Sequence, residues 1–291
     1  MASVMTNKFD YVKNFERDDR CLPNSWIIVR LDGKSFSRFT EMHGFEKPND
    51  KRGLDLMTRA AVNVMEELRD ICLAYGHSDE YSFVFRKDTT TFKRRNSKIM
   101  SVVNSIFAAA YVYHWKDIFG MTKLQYPPGF EAMIVVYPSE VNLKDYLSWR
   151  QAELQQTNLH NTIFWALIKK GNRTEQEAQD ILRNSAHKSE ILCREFGINY
   201  PSEPELFRKG TTLVRKLIPS PVDGKLRQFI LPLYCDLIGD EFWKENPEIV
   251  GLKSLQVCHR PVHMNGFVVN KPNNSNEKIE NDTNVKMETG H

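Results

Sequence analysis

The stretch AYGHSDEYSFVF, residues 74–85, sets two adjacent carboxylates, Asp79 and Glu80, between two apolar runs. YSFVF alternates and is rich in aromatic and β-branched residues, the pattern of a strand. CLAYG ahead of it reads as a second strand, with GHSDE as the turn that joins them. A carboxylate taken out of water without a partner shifts its pKa or finds a counter-charge. A metal ion is one such counter-charge, and a solvated hairpin tip is the plainer alternative. A second carboxylate at a neighbouring strand end decides between them.

Upstream, WIIVRLDG (26–33) is a continuous apolar run closing on Asp32-Gly33, as expected of a buried central strand. A helix is predicted from Asn49, capped by Asn49 or Asp50, with Leu54, Met57, Ala61, Val64 and Leu68 at helical spacing. Downstream, FKRRNSKIMSVVNSIFAAAYVYHW (92–115) reads as a second long helix with basic first turns. After the YPPGF punctuation, EAMIVVYP (131–138) is a further strand. The order strand, helix, strand, strand, helix, strand is that of the split βαβ, ferredoxin-like arrangement, an α+β antiparallel sheet with helices.

In that arrangement the end of the first strand neighbours the central hairpin. Asp32 therefore meets Asp79 and Glu80, 79 − 32 = 47 residues later. Carboxylates from two adjacent strand ends suit Mg²⁺, a hard cation that takes oxygen ligands and keeps phosphates in its shell. Gly33 lets the backbone come close, with its carbonyl as a further ligand. This is the layout of two-metal phosphoryl or nucleotidyl transfer; a simple Asp-Gly turn is the competing reading.

The 291 residues fit one large domain or two modest ones. We divide them into 1–138, a catalytic unit; 139–269, a helical and mixed region completing the fold; and 270–291, a polar tail expected to be disordered. Within the second region, 143–170 is helical with a break near Thr157-Asn158, and 174–195 holds one or two shorter helices. TTLVRKLI and RQFILPLYC are strands of a less regular part.

The net charge of +3 exerts little long-range pull on a polyanion, so a nucleic-acid site must come from local clusters. In KRRNSK, Arg95 and Lys98 are three apart on one helix face near its start, favourable for phosphate, against the alternative of a solvated helix start. The pairs Lys169-Lys170 and Arg208-Lys209 read as a surface face before they read as phosphate contacts. Trp115, Trp149 and Trp165 are expected in the core rather than stacked on bases. Cys258, His259 and His263 lack a second ligand pair at zinc spacing.

Five scattered cysteines suit a reducing compartment, and no run approaches the ~18 apolar residues that span a bilayer. The expected location is the cytoplasm, with the nucleus next and the mitochondrion last; no membrane partner is expected.

The segments IIVRLDGKSFSRF, FEKPND (45–50), YGHSDEYSFVF, FKRR (92–95), LKDYLSWRQ, GINY and FRKG together resemble the tRNA(His) guanylyltransferases. The likeness runs from about Lys8 to Gly210 and returns weakly at DLIGDEFWKENPE (236–248). It implies a polymerase-like palm, a homotetramer, tRNA(His) as partner, and ATP and GTP as substrates. It further implies that Asp32, the Gly33 carbonyl and Asp79 hold two Mg²⁺ ions, with Glu80 in the same cluster and Ser78 needed for transfer. Arg30, Lys34, Lys47, Asp50, His77, Ser78, Arg95 and Lys98 are then nucleotide-handling positions. Asn158, Asn161, Lys188 and Asn199 belong to activation or tRNA handling.

One departure stands out: where the family shows HINNLYNT, this chain has QQTNLHNT (155–162). The first His, linked to activation, is Gln155, which carries neither proton nor charge near neutral pH. His160, five residues on, lies on a different helical face. The resemblance leaves as rivals a template-dependent tRNA 5′-end repair enzyme, a nucleotide cyclase sharing the palm, and a non-catalytic tRNA-binding protein.

Overall fold

The structure, a computed structural model, describes residues 8–184, 188–219 and 223–251. After a 3₁₀ turn (Asp10–Phe15) come β1 (Trp26–Lys34), α1 (Phe36–Met42), α2 (Lys51–Glu67), β2 (Ile71–His77) and β3 (Glu80–Phe85). Then follow α3 (Asn96–Tyr113), α4 (Trp115–Phe119), β4 (Gly129–Tyr137), α5 (Glu140–Lys169), α6 (Glu175–Asn184) and α7 (Lys188–Phe196). The chain closes with α8 (Glu205–Lys209), β5 (Thr211–Pro219), β6 (Leu226–Leu233), α9 (Glu241–Glu245) and α10 (Pro247–Val250).

The strands form one antiparallel sheet in the order β4-β1-β3-β2-β5-β6, whose first four members follow the split βαβ order. Alternation along the strands divides the core. Ile27, Val29, Leu31, Tyr81, Phe83 and Phe85 pack with α2 and α3. On the other face Trp26, Ile28, Leu73, Tyr75 and Val84 pack against Leu143, Tyr146 and Leu147 of α5. A third cluster joins the far half of α5 to α6 and α7 through Ile163, Leu167, Ala178, Leu182 and Leu192.

Three expectations are corrected. First, β5 and β6 are strands as expected, but regular ones: β5 pairs with β2 and extends the central sheet. This pairing covers an edge that β2 would otherwise expose. Second, α5 runs without a break at Thr157-Asn158. Asn158 is buried and donates its amide to Tyr200 Oη at 2.9 Å, so its side chain does not compete with the helix backbone.

Third, the basic helix begins at Asn96, not at Phe92. Phe92, Lys93 and Arg94 take φ of +49°, +54° and +61°. The twist delivers the buried Arg94 guanidinium to the carbonyls of Leu22, Ser25 and Thr89. Arg95 is left extended ahead of the helix, so it does not share a helical face with Lys98. The tail from Asn270 and the Cys258, His259, His263 group lie outside the described residues.

Candidate functional site

β2 ends at His77 and β3 starts at Glu80, so Ser78 and Asp79 alone make the hairpin connection. Ser78 sits at φ +50° and donates Oγ to Asp79 Oδ1 at 3.0 Å. The Gly33 amide donates to the Asp79 carbonyl at 3.1 Å and fastens the hairpin tip to the end of β1. In the ladder Asp32 stands opposite Glu80, which also pairs with His77 on its other side. The strand tips thus bring Asp32, Asp79 and Glu80 together.

They open into a cavity of about 570 Å³. Asp32, His77, Ser78, Asp79 and Glu80 form one wall, Lys47 and Asp50 of the loop before α2 a second, and Asn158, Asn161 and Trp165 of α5 a third. Gly33, Lys34, Arg30, Arg95, Lys98 and Asn199 are not among the lining residues. Arg95 pairs with Asp19 at 3.5 Å, and Lys98 Nζ lies 4.9 Å from the Phe92 ring centroid. Asn199 donates to Ser202 Oγ at 2.8 Å. Arg30 lies near enough to Glu80 and His77 to act on both electrostatically. Lys188 opens α7, and its side chain is outside the described set.

The electrostatics separate the carboxylates. Burial lifts the Asp79 carboxyl above the usual range, and the Asp32 charge adds to that against the Ser78 hydrogen bond. Burial also raises Glu80, opposed by Arg150 and Arg30. Both Glu80 oxygens accept from Arg150, at 2.8 Å from Nε and 2.5 Å from Nη2. His77 is pushed down to about 3 by burial and by Arg150 and Arg30, so its imidazole is neutral at physiological pH and offers phosphate no charge.

Asp50 accepts from the amides of Glu46 and Arg52 and from the Arg52 guanidinium at 3.1 and 2.7 Å. Burial opposes its charge, yet these hydrogen bonds win and hold it below the usual carboxylate range. A depressed pKa gives stability that is present above the unfolded value and lost as pH falls through the folded one. Asp50→Ala is therefore expected to cost about 1–2 kcal/mol at neutral pH from the lost helix cap. Urea unfolding should show the gap from wild type closing as the pH drops below about 4.

Asp32 and Asp79 are the pair suited to a cation. Both are hard oxygen donors; the Asp79 carboxyl is raised chiefly by burial, with the nearby Asp32 charge adding to it and Lys47 opposing it. Among the described residues no group of three or more His, Cys, Asp or Glu is placed to hold a metal ion, so Asp32 and Asp79 stand as a pair and Glu80 does not complete a third ligand.

Arg150 was not singled out from the sequence, although it occupies the apolar stripe of Leu143, Leu147 and Leu154, an unusual place for a charge. The tryptophans divide. Trp115 is core, stacked 4.1 Å from Phe119, whereas Trp149 is 54% exposed and Trp165 lines the cavity, against the expectation for both.

Residues 9–138 match the sequence family described as tRNAHis guanylyltransferase, and residues 141–288 match the Thg1 C terminal domain. The chain belongs to the tRNA(His) guanylyltransferase family. The probable tRNA(His) guanylyltransferase of Mus musculus is 52% identical over 267 residues, spanning 86% of this chain and 90% of that protein. The Homo sapiens protein described in the same words is 51% identical over the same length and shares. The crystal structure of tRNA(His) guanylyltransferase from Saccharomyces cerevisiae aligns with a TM-score of 0.68 at 42% identity, covering 71% of this chain and 93% of that one. A bacterial tRNA(His) guanylyltransferase-like protein in complex with ATP, 20% identical, shares the fold at a TM-score of 0.65 over 84% of this chain and 97% of its own. The palm-like α+β fold and the nucleotidyltransferase class expected for a member of this family both hold. Among the described residues no helix is long and apolar enough to cross a membrane.

Proposed function

We propose that this chain adds a G to the 5′ end of tRNA(His), using ATP and GTP. The observation that supports it most is the meeting of Asp32 and Asp79 at one cavity wall in a member of this family. The reaction has three parts. An oxygen of the tRNA 5′-monophosphate attacks the α-phosphorus of ATP and pyrophosphate leaves. The 3′-hydroxyl of GTP then attacks the tRNA 5′-phosphorus, forming the new phosphodiester and releasing AMP. Pyrophosphate is finally hydrolysed from the added G.

Asp32, Asp79 and the Gly33 carbonyl are the groups to hold two Mg²⁺ ions, which when bound offset phosphate charge and sharpen the attacking oxygen. Lys47, held at the cavity wall by a hydrogen bond to Thr40 Oγ1 at 3.0 Å, supplies a fixed positive charge for phosphate oxygens. Ser78 orients the Asp79 carboxylate. Asn158, its amide held by Tyr200, and Asn161 line the cavity from α5. A homotetramer and a cytoplasmic site belong to the same reading.

Gln155 favours a second reading of the first step. It is exposed and off the cavity lining, and as an amide it transfers no proton. A tRNA that already bears a 5′-triphosphate needs no adenylylation. In an assay of end-labelled tRNA(His) with GTP and Mg²⁺, triphosphate ends should be extended without ATP and monophosphate ends only with it. Exchanging the anticodon should slow extension by about tenfold or more, roughly 1.4 kcal/mol of recognition. Equal rates on many tRNAs would favour end repair, and extension of neither end would overturn the proposal.

A further inference from the structure

Helix α5 is tied near the site to β3, to the end of α8 and to the segment after β6. Tyr146 Oη and Ser82 Oγ are 2.8 Å apart, and Gln151 bonds the carbonyls of Lys209 and Cys235 and the amide of Leu237 at 2.7–2.9 Å. Between these anchors the Arg150 guanidinium reaches Glu80 with two prongs, and its third nitrogen reaches Glu153 Oε2 at 2.5 Å. The side chains of Arg150 and Glu80 are 6% and 10% exposed. A planar fork on a carboxylate fixes direction as well as distance.

The hairpin needs such a brace. Its two-residue connection holds Ser78 in the left-handed region, and Glu80 stands in register with Asp32, placing like charges across the ladder. Both Glu80 oxygens are gripped by Arg150, which leaves Asp32 and Asp79 as the carboxylates at the strand tips that no arginine holds. We propose that Arg150 is a positioning residue of the transfer site: by gripping Glu80 it neutralises that carboxylate and holds the hairpin so that Asp79 stands beside Asp32. This rests on the reading of Asp32 and Asp79 as the metal-holding pair.

The test compares Arg150→Met, Arg150→Lys, Glu80→Gln and the double variant Arg150→Met/Glu80→Gln with the full-length wild type. Mn²⁺ binding to the protein alone is followed by electron paramagnetic resonance, GTP addition is measured as kcat and KM, and folding is followed by circular dichroism. Arg150→Met is expected to weaken Mn²⁺ binding by about tenfold and to lower kcat by about a hundredfold, the range seen when groups behind metal ligands are removed. At saturating Mg²⁺ the KM for GTP should stay within about threefold, because Arg150 does not line the cavity that takes the nucleotide. Arg150→Lys should recover little, since a point charge cannot reproduce the fork.

The double variant should be no worse than Arg150→Met alone, as for two residues acting through one contact. Wild-type Mn²⁺ affinity and kcat in a folded Arg150→Met, or losses that multiply in the double variant, would overturn the proposal. If Arg150→Met fails to fold, Arg150→Lys and the double variant decide by the same criteria. Weakened Mn²⁺ binding alongside a wild-type protein that extends no tRNA would leave the positioning role standing and overturn the functional reading instead.

Discussion

Asp79→Ala is expected to lower G addition by about 10³-fold or more, the scale on which removal of preorganised charge at a reacting phosphate is felt. Binding of tRNA should change little. The Asp79 side chain belongs to no core cluster, and its hydrogen bond is to the adjacent Ser78. The bond that fastens the hairpin, from the Gly33 amide to the Asp79 carbonyl, is made by backbone and survives the substitution. The affected step is therefore chemistry and not folding. Single-turnover addition of GTP to triphosphate-ended tRNA, beside filter binding of the same tRNA, separates the two. Parallel loss of extension and binding would indicate a collapsed site, and retained extension would remove Asp79 from the chemistry.

Gly76→Ala should destabilise the fold by about 2–3 kcal/mol, the upper part of the range for forcing atoms into a filled core. A Cβ built at Gly76 would stand 2.1 Å from Tyr81 Cε2 and 2.4 Å from Cδ2 and Cζ. The ring has nowhere to go. Tyr81 is 2% exposed, stacks on Phe83 at 5.6 Å and sits 6.0 Å from Phe107, with its hydroxyl toward Thr58. Gly76 and Tyr81 are cross-strand partners, the aromatic ring lying over the bare backbone. Because His77 follows directly, any shift of β2 also moves the hairpin. Urea unfolding measures the effect; a loss under about 0.5 kcal/mol would mean the strands yield more easily than their packing implies.

Local pattern revealed the part of the fold built from neighbouring segments. The apolar run ending at Asp32, the alternation after Glu80 and the helical spacing from Asn49 were enough to order four strands, and that order alone brought Asp32 to the hairpin. The pairing of β2 with β5 was not legible, because it joins segments more than a hundred residues apart and leaves no periodic trace. The expected break in α5 failed because Asn158, a helix-disfavouring residue by local rules, is satisfied by Tyr200 across space. Arg95 and Lys98 were placed on one helical face by counting, but the buried Arg94 guanidinium turns the chain first. Arg150 did leave a signal, a cation within a buried apolar stripe, and its partner Glu80 was already in view.

The central claim is that Asp32 and Asp79 hold divalent cations where two phosphate-bearing substrates meet. Crystals of the protein grown with GTP and Mn²⁺, measured at the manganese absorption edge, test it most directly. The account predicts anomalous peaks touching both carboxylates, with the triphosphate on their far side. Manganese bound to the triphosphate but distant from Asp32 and Asp79 would contradict it.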